Sequence, residues 1–186
     1  MFEKKLVEHC SAVLAGLKTA NLFSYPLCSN DDLPKLIDLW NHHLNAKGIT
    51  LFILKETKQN ALIYVCRLHK LDADLKRECV KSFLKTYGYK DFTAEQAIKR
   101  LKLRLWESDG FPHEIGLFLG YPFCDVKGFI ENQGKNCKYC GFWKVYENET
   151  ETQKLFQKFI KCREVYTRLF LLQQRSVQQL AVAAFE

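Results

Sequence analysis

The chain has 186 residues, enough for one domain with a sizeable core, and its 47% hydrophobic and 26% charged content is that of a globular protein. No apolar run reaches the ~18 residues that a bilayer requires, and the start, MFEKKLVEHC, carries acids and no signal-peptide core, so neither membrane insertion nor export is expected. Eight cysteines without an export signal predict reduced thiols in the cytoplasm, and a net charge of +7 leaves anionic partners open.

Phe2, Leu6, Cys10, Val13, Leu14 and Leu17 recur at helical spacing and predict a first helix with Cys10 on its buried side. Residues 21–27 read as a short strand stopped by Pro26. Ser29 or Asn30 is expected to cap a second helix, whose apolar stripe is Leu33, Leu36, Ile37, Trp40 and Leu44 and which Gly48 is placed to end. Residues 49–56 and 61–68 are rich in β-branched and aromatic side chains and are joined by the polar link TKQN, which predicts a hairpin covered on both faces.

A third helix is expected after Asp72 or Asp74, with Leu75, Cys79, Phe83 and Tyr87 inward and Gly88 at its end. Thr93 with Gln96 has the spacing of a capping box opening a fourth helix, striped by Ile98, Leu101 and Leu105. Residues 115–119 read as a strand, followed by a turn at Gly120, Tyr121 and Pro122 and a brief helix capped by Asp125. Residues 141–146 read as a last strand. A long helix then starts near Glu149, with Leu155, Phe159, Cys162, Tyr166 and Leu169 on one side. This order predicts an α+β fold: a single domain over 1–172 with a mixed, largely antiparallel sheet of about five strands packed by helices. Residues 173–186 either prolong the long C-terminal helix or form a frayed tail. The alternation of a doubly wound fold is broken twice, and no Gly-rich phosphate turn follows the first strand.

Residues 111–146, FPHEIGLFLGYPFCDVKGFIENQGKNCKYCGFWKVY, concentrate the chemistry: five of nine glycines, two of four prolines, three of eight cysteines and a His-Glu pair. Cys137 and Cys140 form a C-x-x-C-G turn of the kind that supplies half a zinc or iron site, with Cys124, His113 and Cys162 as candidates to complete it. The same pair could cycle between dithiol and disulfide, but a strand rather than a helix N-terminus is expected to follow, so thiol activation of the thioredoxin kind is missing. The structural alternative is incidental thiols. Glu114, Gly116, Gly120 and Tyr121 could shape a pocket for a flat ligand such as flavin or haem, or serve a crowded helix-sheet junction. His113 and Glu114 could form an acid-base couple or tie down a loop; position 117 is Leu, so there is no H-E-x-x-H. His42 and His43 point ~100° apart on a helix and cannot easily share a ligand. Lys18-Thr19 resembles the tail of a phosphate loop but lacks the leading glycines and ends a helix.

Residues 76–104 hold nine basic against three acidic residues, a local +6. Lys99, Arg100, Lys102 and Arg104 are the candidate basic surface, read either as a nucleic-acid or acidic-partner interface or as solvated helix faces.

The blocks FPHEIGLFLGYP, DVKGFIEN with Gly134, and GFWKVY resemble the signature of a bacterial family, domain of unknown function 3793. LAGLKTANLF near the start and LIYVCRLHKL, with Cys66 where Tyr is expected, extend the resemblance to about residues 5–170. Cys124 stands where the pattern leads one to expect an acid. The resemblance carries over no activity, ligand or catalytic residue. It implies an anaerobe's protein with iron-uptake and flavodoxin genes as neighbours, and hence a redox or iron-metabolism protein as partner. Three functions are therefore expected from sequence. The first is a cytoplasmic accessory factor in iron or redox metabolism, binding a metal ion, haem or flavin within 111–146. The second is a nucleic-acid or acidic-partner binding module. The third is a hydrolase or transferase using His113 with Cys124 or Glu114.

Overall fold

The computed structural model describes residues 2–27, 32–107 and 110–183. Helices and five strands make up these residues, every strand pair is antiparallel, and the α+β class read from sequence holds. The strands divide between a three-stranded and a two-stranded sheet. The chain falls into two compact units, Met1–Lys70 with Cys162–Glu186, and Leu71–Lys161.

In the first unit, α1 (Phe2–Leu14) precedes β1 (Ala20–Pro26), α2 (Leu33–Leu44), a 3-10 turn, β2 (Ile49–Glu56) and β3 (Asn60–Arg67). The order in the sheet is β1-β3-β2, so the predicted hairpin forms and β1 adds to its far side. Phe23, Ile63 and Leu51 lie on the face that joins the α1 stripe of Phe2, Leu6, Cys10 and Val13 and the α2 stripe of Leu33, Ile37, Trp40 and Leu44. Tyr64 and Cys66, of opposite strand parity, are buried too, as near-continuous apolar strands require. Ser29 and Asn30 lie outside the described residues; Asp32 caps α2 by accepting from the Lys35 N–H at 3.2 Å. Gly48 ends the following turn in the left-handed region, at φ 72°.

The turn after α1 is built around Arg67. Gly16 takes φ 75°, returning the chain so that the α1 carbonyls stay near the end of β3. Arg67 is only 1% exposed, and it donates to Val13 O, Leu14 O, Lys47 O and Val182 O. Two of these are last-turn carbonyls of α1, which have no partner within the helix. Val182 follows a short helix, α9 (Val177–Leu180), opened by a capping box of Ser176 and Gln179. Val177, Leu180 and Ala181 are buried in the same core, so the chain beyond the long helix breaks, turns and packs.

Lys18 in this turn is 8% exposed and donates to Asn21 Oδ1 at 3.2 Å. Burial lowers its ammonium to about 8, and burial raises the nearby Cys10 thiol to about 12. Between pH 8 and 10.5 the unfolded lysine holds a proton that the folded one has released, so stability rises with pH there. The Cys10 thiol works oppositely above its ordinary value of 9.0, because the folded form keeps its proton. In chemical denaturation from pH 7 to 10.5, the native chain should therefore gain on Lys18→Met by up to roughly 3 kcal/mol. A flat difference across that range would show that Lys18 keeps its charge when folded.

The second unit begins within α3 (Leu68–Leu75) and continues through α4 (Glu78–Lys85), α5 (Ala94–Glu107), α6 (Ile115–Phe118), α7 (Phe123–Glu131) and the strands β4 (Tyr139–Cys140) and β5 (Lys144–Val145). It ends within α8 (Glu149–Leu172). The single helix expected over the 70s and 80s is two helices. Arg77 is extended at ψ 132°, and this break rephases the stripe to Val80 and Leu84, leaving Cys79 exposed. Thr93 does not form the expected box: its hydroxyl and N–H both donate to Asp91, and the Ala94 N–H is taken by Asp72 Oδ1 at 2.6 Å. Residues 115–119, expected as a strand, form α6 and its C-terminal turn, because Gly120 at φ 79° closes the turn. On α8 the buried side is Thr152, Phe156, Phe159 and Cys162, and Leu155 is 40% exposed.

Candidate functional site

The three signature blocks of residues 111–146 interlock through glycines that admit aromatic rings. A Cβ at Gly116 in α6 would sit 2.7 Å from Val126 and 2.8 Å from the Trp143 ring. At Gly128 in α7 it would lie 2.6 Å from Tyr146 Cγ, and at Gly141 it would collide with the Phe156 ring. Trp143 thus lies on Gly116, stacked on Tyr121 at 4.9 Å and tilted against Phe129 at 5.3 Å. The β4-β5 hairpin is held to α7 by Asp125. Rather than capping that helix, its buried carboxylate accepts from the Tyr146 N–H at 2.8 Å and the Glu147 N–H at 3.1 Å. The space beside Gly116, Gly128 and Gly141 is filled by aromatic rings.

The expected ligand-pocket residues fall in different places. Gly116 is buried under Trp143. Gly120 and Tyr121 border a hollow of about 160 Å³ with Asp74, Arg77 and Phe123, and the Tyr121 hydroxyl donates to Phe142 O at 3.2 Å. Glu114 borders another of about 240 Å³ with Tyr87, Arg104, Phe111, Pro112, His113 and Ile130. Pockets for drug-sized ligands and organic cofactors span ~300–1,000 Å³, so both hollows lie below that range.

The second hollow has the more developed chemistry. Glu114 is buried and accepts from Arg104 Nε at 2.9 Å and from the Tyr89 hydroxyl at 3.4 Å. The hydrogen bond to Glu114 raises the Arg104 guanidinium, which lies over the Tyr87 ring at 5.3 Å. Burial first, and the Glu114 charge second, push the Tyr87 and Tyr89 phenols up, so both stay protonated. His113 is exposed and packs edge-on against Phe129 at 4.9 Å. Sequence reading placed Arg104 in a basic stripe and Glu114 in a pocket without pairing them. Their ten-residue separation across a loop gives no local signal, and Tyr87, expected inward on the third helix, instead lies beneath Arg104.

The remaining candidates take these places. Cys137 is half-buried at the entry to β4, and Cys140 is exposed at its end. Cys124 lies on α7; burial, then the Asp125 and Glu147 charges, push its thiol up, which is the reverse of nucleophile activation. His113 and Cys124 share no hydrogen bond among the described residues. Cys162 belongs to the first unit, and its thiol is raised by burial. Among the described residues, no three of His, Cys, Asp and Glu gather closely enough to hold a metal ion. Cys28 lies outside them.

The four basic residues share α5 but not a face. Arg100 donates to Glu107 at 3.0 Å and to Tyr87 O at 3.3 Å, and Arg104 is held by Glu114. Lys102 is half-buried, with its ammonium lowered by burial, and Lys99 is exposed. Two of the four charges are thus paired with acids.

No described helix is long and apolar enough to cross a membrane. No curated protein and no solved structure matches this chain. One family does, over residues 6–181, a span that takes in the Gly16 turn, Arg67, Glu114 and every glycine-aromatic contact described above. The chain belongs to that family, described as "Protein of unknown function (DUF3793)".

Proposed function

We propose that this protein binds a small organic anion, bearing a carboxylate or phosphate, in the hollow lined by Tyr87, Arg104, His113 and Glu114. The observation that carries the reading is the arrangement of Arg104. Its Nε is anchored to a buried carboxylate, its plane is supported by Tyr87, and neither Nη makes a hydrogen bond to a described residue. A guanidinium fixed in this way is a preorganised fork for two anionic oxygens. His113 supplies a second donor, and Phe111, Pro112 and Ile130 offer apolar contact to a short carbon skeleton.

This site joins residues of 111–146 to Tyr87 and Arg104, which lie outside that segment, and takes a small anion in place of a metal, haem or flavin. The seven described cysteines are free, which supports a reducing compartment such as the cytoplasm. The test is calorimetric titration with inorganic phosphate and a panel of small mono- and dicarboxylates. At least one should bind saturably. Arg104→Gln should weaken it by about a hundredfold, and His113→Ala by about tenfold, since charged bonds outweigh neutral ones. Absence of saturable binding across the panel, or an unchanged affinity in Arg104→Gln, would remove the proposal.

A further inference from the structure

A hollow of about 700 Å³ lies within the first unit, where α1 meets the end of α8. It is lined by Glu8 and His9 of α1 and by Arg163, Glu164, Arg168 and the leucines of the last turn of α8. Leu171 is 53% and Leu172 76% exposed, two adjacent large apolar side chains presented to solvent beside a concave surface.

Charge selects among occupants. The chain carries +7, so two copies repel unless they meet through a patch of a different balance. Glu8 and Glu164 line this hollow with Arg163 and Arg168, and Lys4 pairs with Glu8 at 3.7 Å, so the patch sums to about +1 against the chain's +7. A purely anionic occupant would meet both arginines but also both carboxylates, because the lining carries the two signs side by side. A second copy of the same surface meets its own complement.

Helical spacing gives the register. Thr167 lies on the midline of this α8 face, with Arg163 and Glu164 on one side along the axis and Leu171 and Leu172 on the other. A two-fold axis beside Thr167 places two α8 helices antiparallel. Glu164 of one copy then lies beside Arg168 of the other, twice, and each pair of leucines covers the other copy's hollow. Such a contact is isologous and closes at two copies. We infer that this groove is a homodimer interface, with a second copy of the chain as its occupant.

Sedimentation equilibrium on the full chain, from about 1 to 300 µM, reads the association directly. Native protein should show a monomer-dimer equilibrium in that range. Leu171→Glu should raise the dissociation constant at least about tenfold, and its exposure makes it tolerable to the fold. Glu164→Arg and Arg168→Glu should each weaken the dimer, and the two together should restore it, which a nonspecific apolar contact would not do. A chain that stays monomeric across the range, or a dimer indifferent to Leu171→Glu, overturns the inference. So does a monomer whose native mass spectrum shows a bound amphiphile.

Discussion

Arg67→Met should remove most of the stability of the first unit. The side chain is a full donor fork among four carbonyls, Val13, Leu14, Lys47 and Val182, which come from the end of α1, the turn before β2 and the segment after α9. A buried carbonyl without a donor costs about 1–3 kcal/mol; in Arg67→Met, Val13 O keeps the Gly16 N–H and Leu14 O keeps the Val182 N–H, so the loss falls chiefly on Lys47 O and Val182 O. The expected loss is roughly 2–6 kcal/mol, a large share of the ~5–15 kcal/mol that a domain has. Arg67→Lys should rescue little, because an ammonium on a flexible stem cannot meet four oxygens in the geometry of a guanidinium. Urea denaturation followed by circular dichroism measures both. A loss below about 1 kcal/mol in Arg67→Met would mean that these carbonyls find water instead. No carboxylate bonds this cation among the described residues. Its charge is met by carbonyl dipoles, including the negative end of α1.

Gly128→Ala should destabilise, against the usual sign. In an exposed helix interior this exchange gains about 1 kcal/mol, because alanine restricts the unfolded chain and favours the helix. Gly128 lies inside α7, but its missing Cβ is where Tyr146 packs, with Cγ at 2.6 Å and Cβ at 2.9 Å. Tyr146 cannot simply swing away. Its N–H donates to Asp125 at 2.8 Å and its hydroxyl to Lys135 O at 3.0 Å. Overpacking of this kind costs about 1–3 kcal/mol, enough to reverse the helical gain. Combining Gly128→Ala with Tyr146→Ala should recover part of the loss, giving a coupling energy of roughly 1 kcal/mol in a double-mutant cycle. A stabilised Gly128→Ala would show that the α7-hairpin contact is loose and the glycine incidental.

These two residues also explain the resemblance that the sequence carries. The blocks around Gly116, Gly128 and Gly141 belong to one packing unit in which each glycine receives a ring from another block or from α8. The early block LAGLKTANLF contains the turn that seats Arg67. Neither requires catalysis to account for its composition. The one polar cluster left over, Arg104 with Glu114 beside the two tyrosines, is where the proposed ligand binds.

Local pattern was sufficient for much of the chain. The stripes of α1 and α2 follow from apolar spacing, because a helix that buries one side must repeat every three to four residues. The β2-β3 hairpin follows from two β-rich runs and a four-residue polar link, and the start of α8 at Glu149 from its periodicity. Family membership was legible in the same way, since it resides in contiguous words of sequence.

What only the tertiary structure decided involves partners far apart along the chain. Residues 115–119 are five apolar-rich residues, too short for periodicity to separate a buried helical turn from a buried strand, and Trp143 packing on Gly116 accompanies the helical form. Leu155 and Phe156 are neighbours with equal claim to the α8 stripe; the open side of Gly141 selects Phe156. The same holds for Arg67 reaching Val182, 115 residues away, and for the absence, among the described residues, of any group of three His, Cys, Asp or Glu that could hold a metal ion. Sequence periodicity reports that a side is buried, while the identity of what buries it is set by contacts that no local window contains.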